Sequence, residues 1–298
     1  MTKALPNLFL IRFLLATVVV ISHIPETSRN LGFPAFNNLP LFNKGILAVF
    51  YFFSLSGFLI IRNLYIEQRH KGTINIKKFY SRRVRRLMPV YFLVISVGII
   101  VYHYLLPLFK VPFKINYPLS HLILYYIALV PNIFNSIYHV GGILNVLWSI
   151  GIEEQFYLVV PVLLFLFRKK IVMVLLIILS VLLLILLSYP KFYIYHNFYF
   201  YFAAGGLLAI LCEQKRCNFL NNKIVAMLLL LTFILNFTTN VFNFENKAAF
   251  HLYNMIVSTL FIASISYYPQ FIIKNRLLNY LGKISYGIYM YHIIVMTG

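Results

Sequence analysis

The sequence predicts an all-α fold, a polytopic transmembrane helical bundle, and three observations predict it. Of 298 residues, 61% are hydrophobic and only 11% are charged, where a soluble domain carries about a quarter charged residues. The mean hydropathy is +0.84. Apolar runs of about the length a bilayer core demands recur along the whole chain.

The runs fall at 6–25, 42–64, 87–109, 117–135, 147–167, 171–188, 192–211, 224–242 and 250–268, and a further one begins near 286. This gives about 9–10 membrane segments in a single transmembrane domain over 1–298, without an appended soluble domain. No small-residue cleavage site follows the first run, which reads as a retained span rather than a removed signal. The last run is expected to be incomplete or to end within the membrane, since about twelve residues at 1.5 Å each fall short of about 30 Å of hydrocarbon.

The 26 Lys and Arg against six acids give a net charge of +20. The cations sit in short segments between apolar runs, at 67–86, 168–170, 215–223 and 274–283. That is the positive-inside pattern, with a cytoplasmic N-terminus and the lipid bilayer as partner, and it gives no reason to invoke nucleic acid. If every run crossed, 67–86 would face away from the other three basic segments. Parity is restored if 117–147 makes no net crossing, which suits its His121, Pro131 and Gly141-Gly142. Cys212 and Cys217, the two cysteines, form a C-x4-C pair without a nearby His. It is a poor zinc site, and no metal is expected.

Several polar residues stand where lipid depth should forbid them. Arg12 and His23 lie eleven positions apart in IRFLLATVVVISHI, so they return to one helical stripe about 16 Å apart in rise. A buried Arg needs an anion or a water-filled cavity, and His exchanges protons near neutral pH. Glu153 and Glu154 in LWSIGIEEQFYLVVPVL point about 100° apart. One can face the bundle interior while the other reaches the headgroups. Arg83 and Arg86, spaced i,i+3 in FYSRRVRRLMPVYFL, project from one helix face. Two guanidinium forks suit a phosphate-bearing ligand, and equally an anchor on lipid phosphate. In FFSLSGFLI the small residues Ser54, Ser56 and Gly57 allow close helix packing or the approach of a ligand to backbone.

Together these pieces resemble the acyltransferase 3 family of integral-membrane O-acyltransferases, over almost the whole chain. Arg12 and His23 match its opening Arg/Lys-x10-His spacing. FFSLSGFLI resembles its second-span signature, RRVRRLMPVY its Arg-x-x-Arg element, LWSIGIEEQFYLVVP its Trp-Ser…Glu…Gln-Phe-Tyr stretch, and LGKISYGIYMYH its late Leu-Gly…Ser-Tyr…Tyr…His segment.

The resemblance implies transfer of an acyl group, usually acetyl, from cytosolic acetyl-CoA to a hydroxyl of an envelope or secreted carbohydrate, such as O-antigen, capsule or peptidoglycan. It implies a bacterial cytoplasmic (inner) membrane protein. Arg83 and Arg86 would hold the phosphates of the acyl-CoA donor. Arg12, His23 and Glu153 would form the catalytic set, with His23 as general base and Glu153 as its orienter. Trp148, Ser149, Ser56, Glu154, Tyr286 and His292 would support them. A secondary transporter or lipid-linked glycan flippase would also need intramembrane charge, but the paired broken helices common in transporters are not evident here.

Overall fold

Runs of Leu, Ile, Val and Phe become helices at membrane depth because each backbone N–H and C=O must bond within its own segment. A computed structural model of the protein describes residues 5–36, 38–111, 113–189 and 197–297, and among these no strand forms. The helices are α1 (Leu8–Asn30), α2 (Gly45–Lys71), α3 (Ile76–Ile99), α4 (Leu106–Leu108), α5 (Leu119–Ile127), α6 (Pro131–Tyr138) and α7 (Leu147–Leu166). They continue with α8 (Ile171–Ser188), α9 (Tyr199–Glu213), α10 (Lys223–Thr238), α11 (Lys247–Tyr267), α12 (Arg276–Lys283) and α13 (Ser285–Thr297).

Among the described residues, six stretches are long and apolar enough to cross a membrane. They are α1, α2, Ile76–Leu108, Gly142–Leu166, α8 and α11, while α9 and α10 are shorter apolar helices. The start of the expected span 192–211, residues 192–196, lies outside the described residues; helix α9 begins at Tyr199.

Two boundaries differ from the hydropathy pattern. Helix α3 begins at Ile76 rather than near 87, because the Asn75 side chain caps it by accepting from the Lys78 backbone N–H at 2.9 Å. The four arginines therefore lie within the helix, not ahead of it. A π-helical stretch, Ile100–Leu105, carries α3 into α4. The apolar run 117–135 breaks into α5 and α6. Val130 leaves helical geometry before Pro131, and Leu129 takes a positive φ of 59°. Nine and eight residues rise only about 14 Å and 12 Å, so neither helix crosses. The basic segments 67–86 and 168–170 meet at one end of the bundle, where Arg168 donates to the Gly72 carbonyl at 3.4 Å.

Helix α2 is the axis of the bundle, with α9 packed along it. Backbone approaches side chain and backbone so closely that only glycine fits. A Cβ on Gly57 would sit 2.1 Å from the Phe202 carbonyl oxygen, and one on Gly205 2.2 Å from that of Ser54. Such small-residue seams suit a medium that offers helices no hydrophobic drive to associate. Polar bonds add to the seam: Ser54 and Ser258 share a 2.7 Å hydroxyl contact between α2 and α11. At the basic end, buried Arg62 donates from Nε to Glu213 at 2.6 Å. The outward side chains of α8, among them Leu184 (62% exposed) and Leu187 (58%), form a lipid-facing surface.

The seam is testable. Gly57→Ala and Gly205→Ala should each lower the thermal midpoint of the detergent-solubilised protein, at a cost of about 1–3 kcal/mol for overpacking. Gly287→Ala, whose Cβ meets nothing nearer than Tyr291 at 3.9 Å, should leave it unchanged.

Candidate active site

The site is built between the first and last described helices, with α2, α3 and α7 closing it. Helices α12 and α13 hold α1. Gly282 of α12 lies against the Phe9 carbonyl, where a Cβ would come within 2.0 Å of the oxygen. Helix α13 then runs parallel to α1 and turns Ser285, Tyr289 and His292 inward, an i, i+4, i+7 face. Ser285 accepts from Arg12 Nε at 3.2 Å, and His292 Nε2 meets His23 Nδ1 at 3.3 Å. The stripe of Arg12 and His23 thus faces protein, not lipid.

Helix α7 supplies the carboxylate. Glu153 accepts from the Ser56 hydroxyl of α2 at 2.5 Å and from the Tyr157 hydroxyl one turn along its own helix. The guanidinium of Arg83 lies 5.0 Å from the Tyr157 ring centroid and 5.5 Å from that of Phe79, a cation–π arrangement that fixes a mobile side chain. Arg12, Arg83, Arg86 and Glu153 line one cavity of about 270 Å³. An inner cavity of about 60 Å³ shares Arg12, Ser56, Glu153 and Tyr286 with it and reaches Ser149 and Tyr289. Three guanidiniums against one carboxylate leave the passage positive, suited to a ligand with several anionic oxygens.

Beyond the inner cavity the contacts continue through α13. The Ser149 and Tyr289 hydroxyls are 2.5 Å apart, and the Tyr289 carbonyl accepts from His292 Nδ1 at 2.6 Å. His23 and His292 line neither cavity. No hydrogen bond joins Glu153 to His23: the carboxylate is engaged by Ser56 and Tyr157, and the imidazole by Val19, Ser22 and His292.

The remaining expected residues divide. Tyr286 lines both cavities and donates to the Leu87 carbonyl at 3.2 Å. Trp148 packs edge-on against Phe53 and Phe198, at 6.2 and 6.3 Å between centroids, and lines neither cavity. Glu154 does not reach the headgroups as one of the pair was expected to. It is buried within the bundle, 4% exposed, and its Oε1 has no hydrogen-bond partner. Tyr157, Ser285 and Tyr289 lie in the motif stretches quoted above but were not among the expected site residues. Tyr157 follows Glu153 at i+4, and Ser285 and Tyr289 share a face with His292; helical spacing is the signal that could have found them.

An uncharacterized protein of Haemophilus influenzae is 29% identical over 121 residues, 39% of this chain and 47% of that one. A Staphylococcus aureus protein provisionally named an O-acetyltransferase is 36% identical over 126 residues, 40% of this chain and 20% of that one. The peptidoglycan O-acetyltransferase of Listeria monocytogenes is 31% identical over 125 residues, again 40% and 20%. The matches thus span about half of the first relative and a fifth of the other two. No solved structure matches significantly. The model of the acyltransferase 3 family, described as an acyltransferase domain, matches residues 5–298, and the chain belongs to that family.

Proposed function

We propose that the protein is a membrane O-acyltransferase. It moves an acyl group, acetyl by family preference, from a cytosolic acyl-CoA thioester to a hydroxyl of a cell-envelope or secreted carbohydrate. The observation that carries this reading is the shared cavity of Arg12, Arg83, Arg86 and Glu153, which narrows inward toward Ser149 and Tyr289. A passage with a cluster of guanidiniums at its wide end and hydroxyls at its narrow end suits a long donor with phosphates at one end and a reactive carbonyl at the other. The names of the Staphylococcus and Listeria relatives support acetyl transfer, and that of the Listeria relative supports a wall glycan as acceptor. The positive-inside pattern supports a cytosolic basic end, a cytoplasmic N-terminus and residence in a bacterial inner membrane.

In this reading Arg83 and Arg86 grip phosphate oxygens, with Arg83 held by its stack on Tyr157. Arg12 draws the donor inward. Glu153 balances the guanidiniums and holds Ser56 and Tyr157 in place. His23 acts as general base on the acceptor hydroxyl. The oxygen attacks the thioester carbonyl, the C–O bond forms, the C–S bond breaks, and His23 returns its proton to the leaving thiolate. Ser149 and Tyr289 offer hydroxyls to the oxyanion that develops between those events.

Purified protein in lipid nanodiscs, given labelled acetyl-CoA and peptidoglycan or other glycan fragments, should release free thiol and acetylate the glycan. Transport of glycan without thiol release would overturn the reading. His23→Ala should lower turnover by about 100-fold or more while insertion and thermal stability persist; wild-type turnover would refute the base. Arg83→Ala and Arg86→Ala should each weaken coenzyme A binding by about tenfold or more, the worth of a charge-assisted hydrogen bond. Lys77→Ala and Lys78→Ala, on the exposed start of α3, should change it far less.

A further inference from the structure

Neutral imidazole has one donor and one acceptor nitrogen, and its neighbours decide which is which. In this pair both choices are fixed by backbone. His23 Nδ1 lies 2.9 Å from the Val19 carbonyl oxygen, and His292 Nδ1 lies 2.6 Å from that of Tyr289. A carbonyl only accepts, so each Nδ1 carries the hydrogen. Nε2 of His292 is then a bare acceptor, 3.3 Å from His23 Nδ1. The Val19 oxygen also accepts from the Ser22 hydroxyl at 2.7 Å, besides its bond within the helix. Its hold on the His23 hydrogen is shared, and His292 supplies the second acceptor. His23 Nε2 is left with a free lone pair.

We infer that His292 is the positioning residue of the base, the part that sequence alone would give to Glu153. The inference rests on the acyl-transfer reading of His23. The two rings lie 4.9 Å apart, tilted by 59°. The Val19 carbonyl sets the tautomer of His23, and the contact with His292 gives the imidazolium a second partner for its Nδ1–H once Nε2 has taken a proton. A carboxylate usually fills this place beside a catalytic His. Here a neutral ring does so, because the carboxylate that lines the passage, Glu153, is already bonded to Ser56 and Tyr157. During transfer the proton leaves the acceptor hydroxyl for His23 Nε2 and passes from there to the thiolate sulfur. The Nδ1–H of His23 stays in its bond to His292 throughout, so His292 neither gains nor loses a proton.

The test has two arms. Kinetically, His292→Phe keeps a flat ring without an acceptor, and should lower kcat by about 10–100-fold, the range seen when an outer partner that orients an imidazole is lost. The donor KM should stay within about twofold, and His292→Gln, whose Oε1 can accept from His23, should recover most of the loss. Full kcat in His292→Phe, or equal losses in the two variants, overturns the inference. Spectroscopically, solid-state NMR of ¹⁵N-histidine-labelled wild-type protein in lipid, assigned with His23→Gln and His292→Gln, should show protonated Nδ1 and bare Nε2 in both rings. It should also show a ¹⁵N–¹⁵N contact between His23 Nδ1 and His292 Nε2. A protonated His292 Nε2, or no contact, overturns the inference without reference to turnover. The expected tautomers in a protein that transfers no acyl group would overturn the acyl-transfer reading instead.

Discussion

A guanidinium cannot be left in hydrocarbon, and the placement of Arg12 is the constraint on which the rest of this structure depends. Four residues into α1, it must find hydrogen-bond acceptors and a wet, counter-charged space. Ser285 supplies an acceptor, and the cavity it shares with Glu153 supplies the space. Meeting that demand brings α13 alongside α1, and the same pairing sets His292 against His23 two turns further on. The helix that satisfies the cation also equips the imidazole.

The carboxylate obeys a similar logic. Glu153 sits among hydroxyls and cations rather than beside the imidazole, with Ser56, Tyr157 and, through the Tyr157 ring, Arg83 tied to it. Such a network is stabilising only when each member is satisfied. Glu154, one residue along, points about 100° away into a side of α7 covered by protein. Adjacent acids of the same type thus occupy quite different surroundings because the helix turns between them.

Much of this was legible in the sequence, and the reasons are physical. Charges are so costly in lipid that Arg12 and Glu153 had to turn inward, and the i,i+3 spacing of Arg83 and Arg86 placed both on one face. The Pro131 that the sequence offered as a break in 117–147 does divide that run into two short helices, together with the positive φ of Leu129. The start of α3 was not legible, because hydropathy marks lipid depth and not helix length, and Lys and Arg continue a helix well. Nor was the partner of His23. His292 is 269 positions away, and no local pattern records the register between two helices so far apart in the chain. Glu153 was the nearest acid by resemblance, but distance in space is set by the packing of α13.

The close seam of α2 and α9 carries a different consequence. Gly57 touches the backbone of Phe202 while its neighbour Ser56 faces the passage and bonds Glu153. Consecutive residues of one helix therefore serve the scaffold on one side and the chemistry on the other. A helix clamped this tightly has little freedom to rotate or slide, so the wall that bears Ser56 is a fixed datum, and any opening needed to admit or release a long donor has to come from movement of the facing helices.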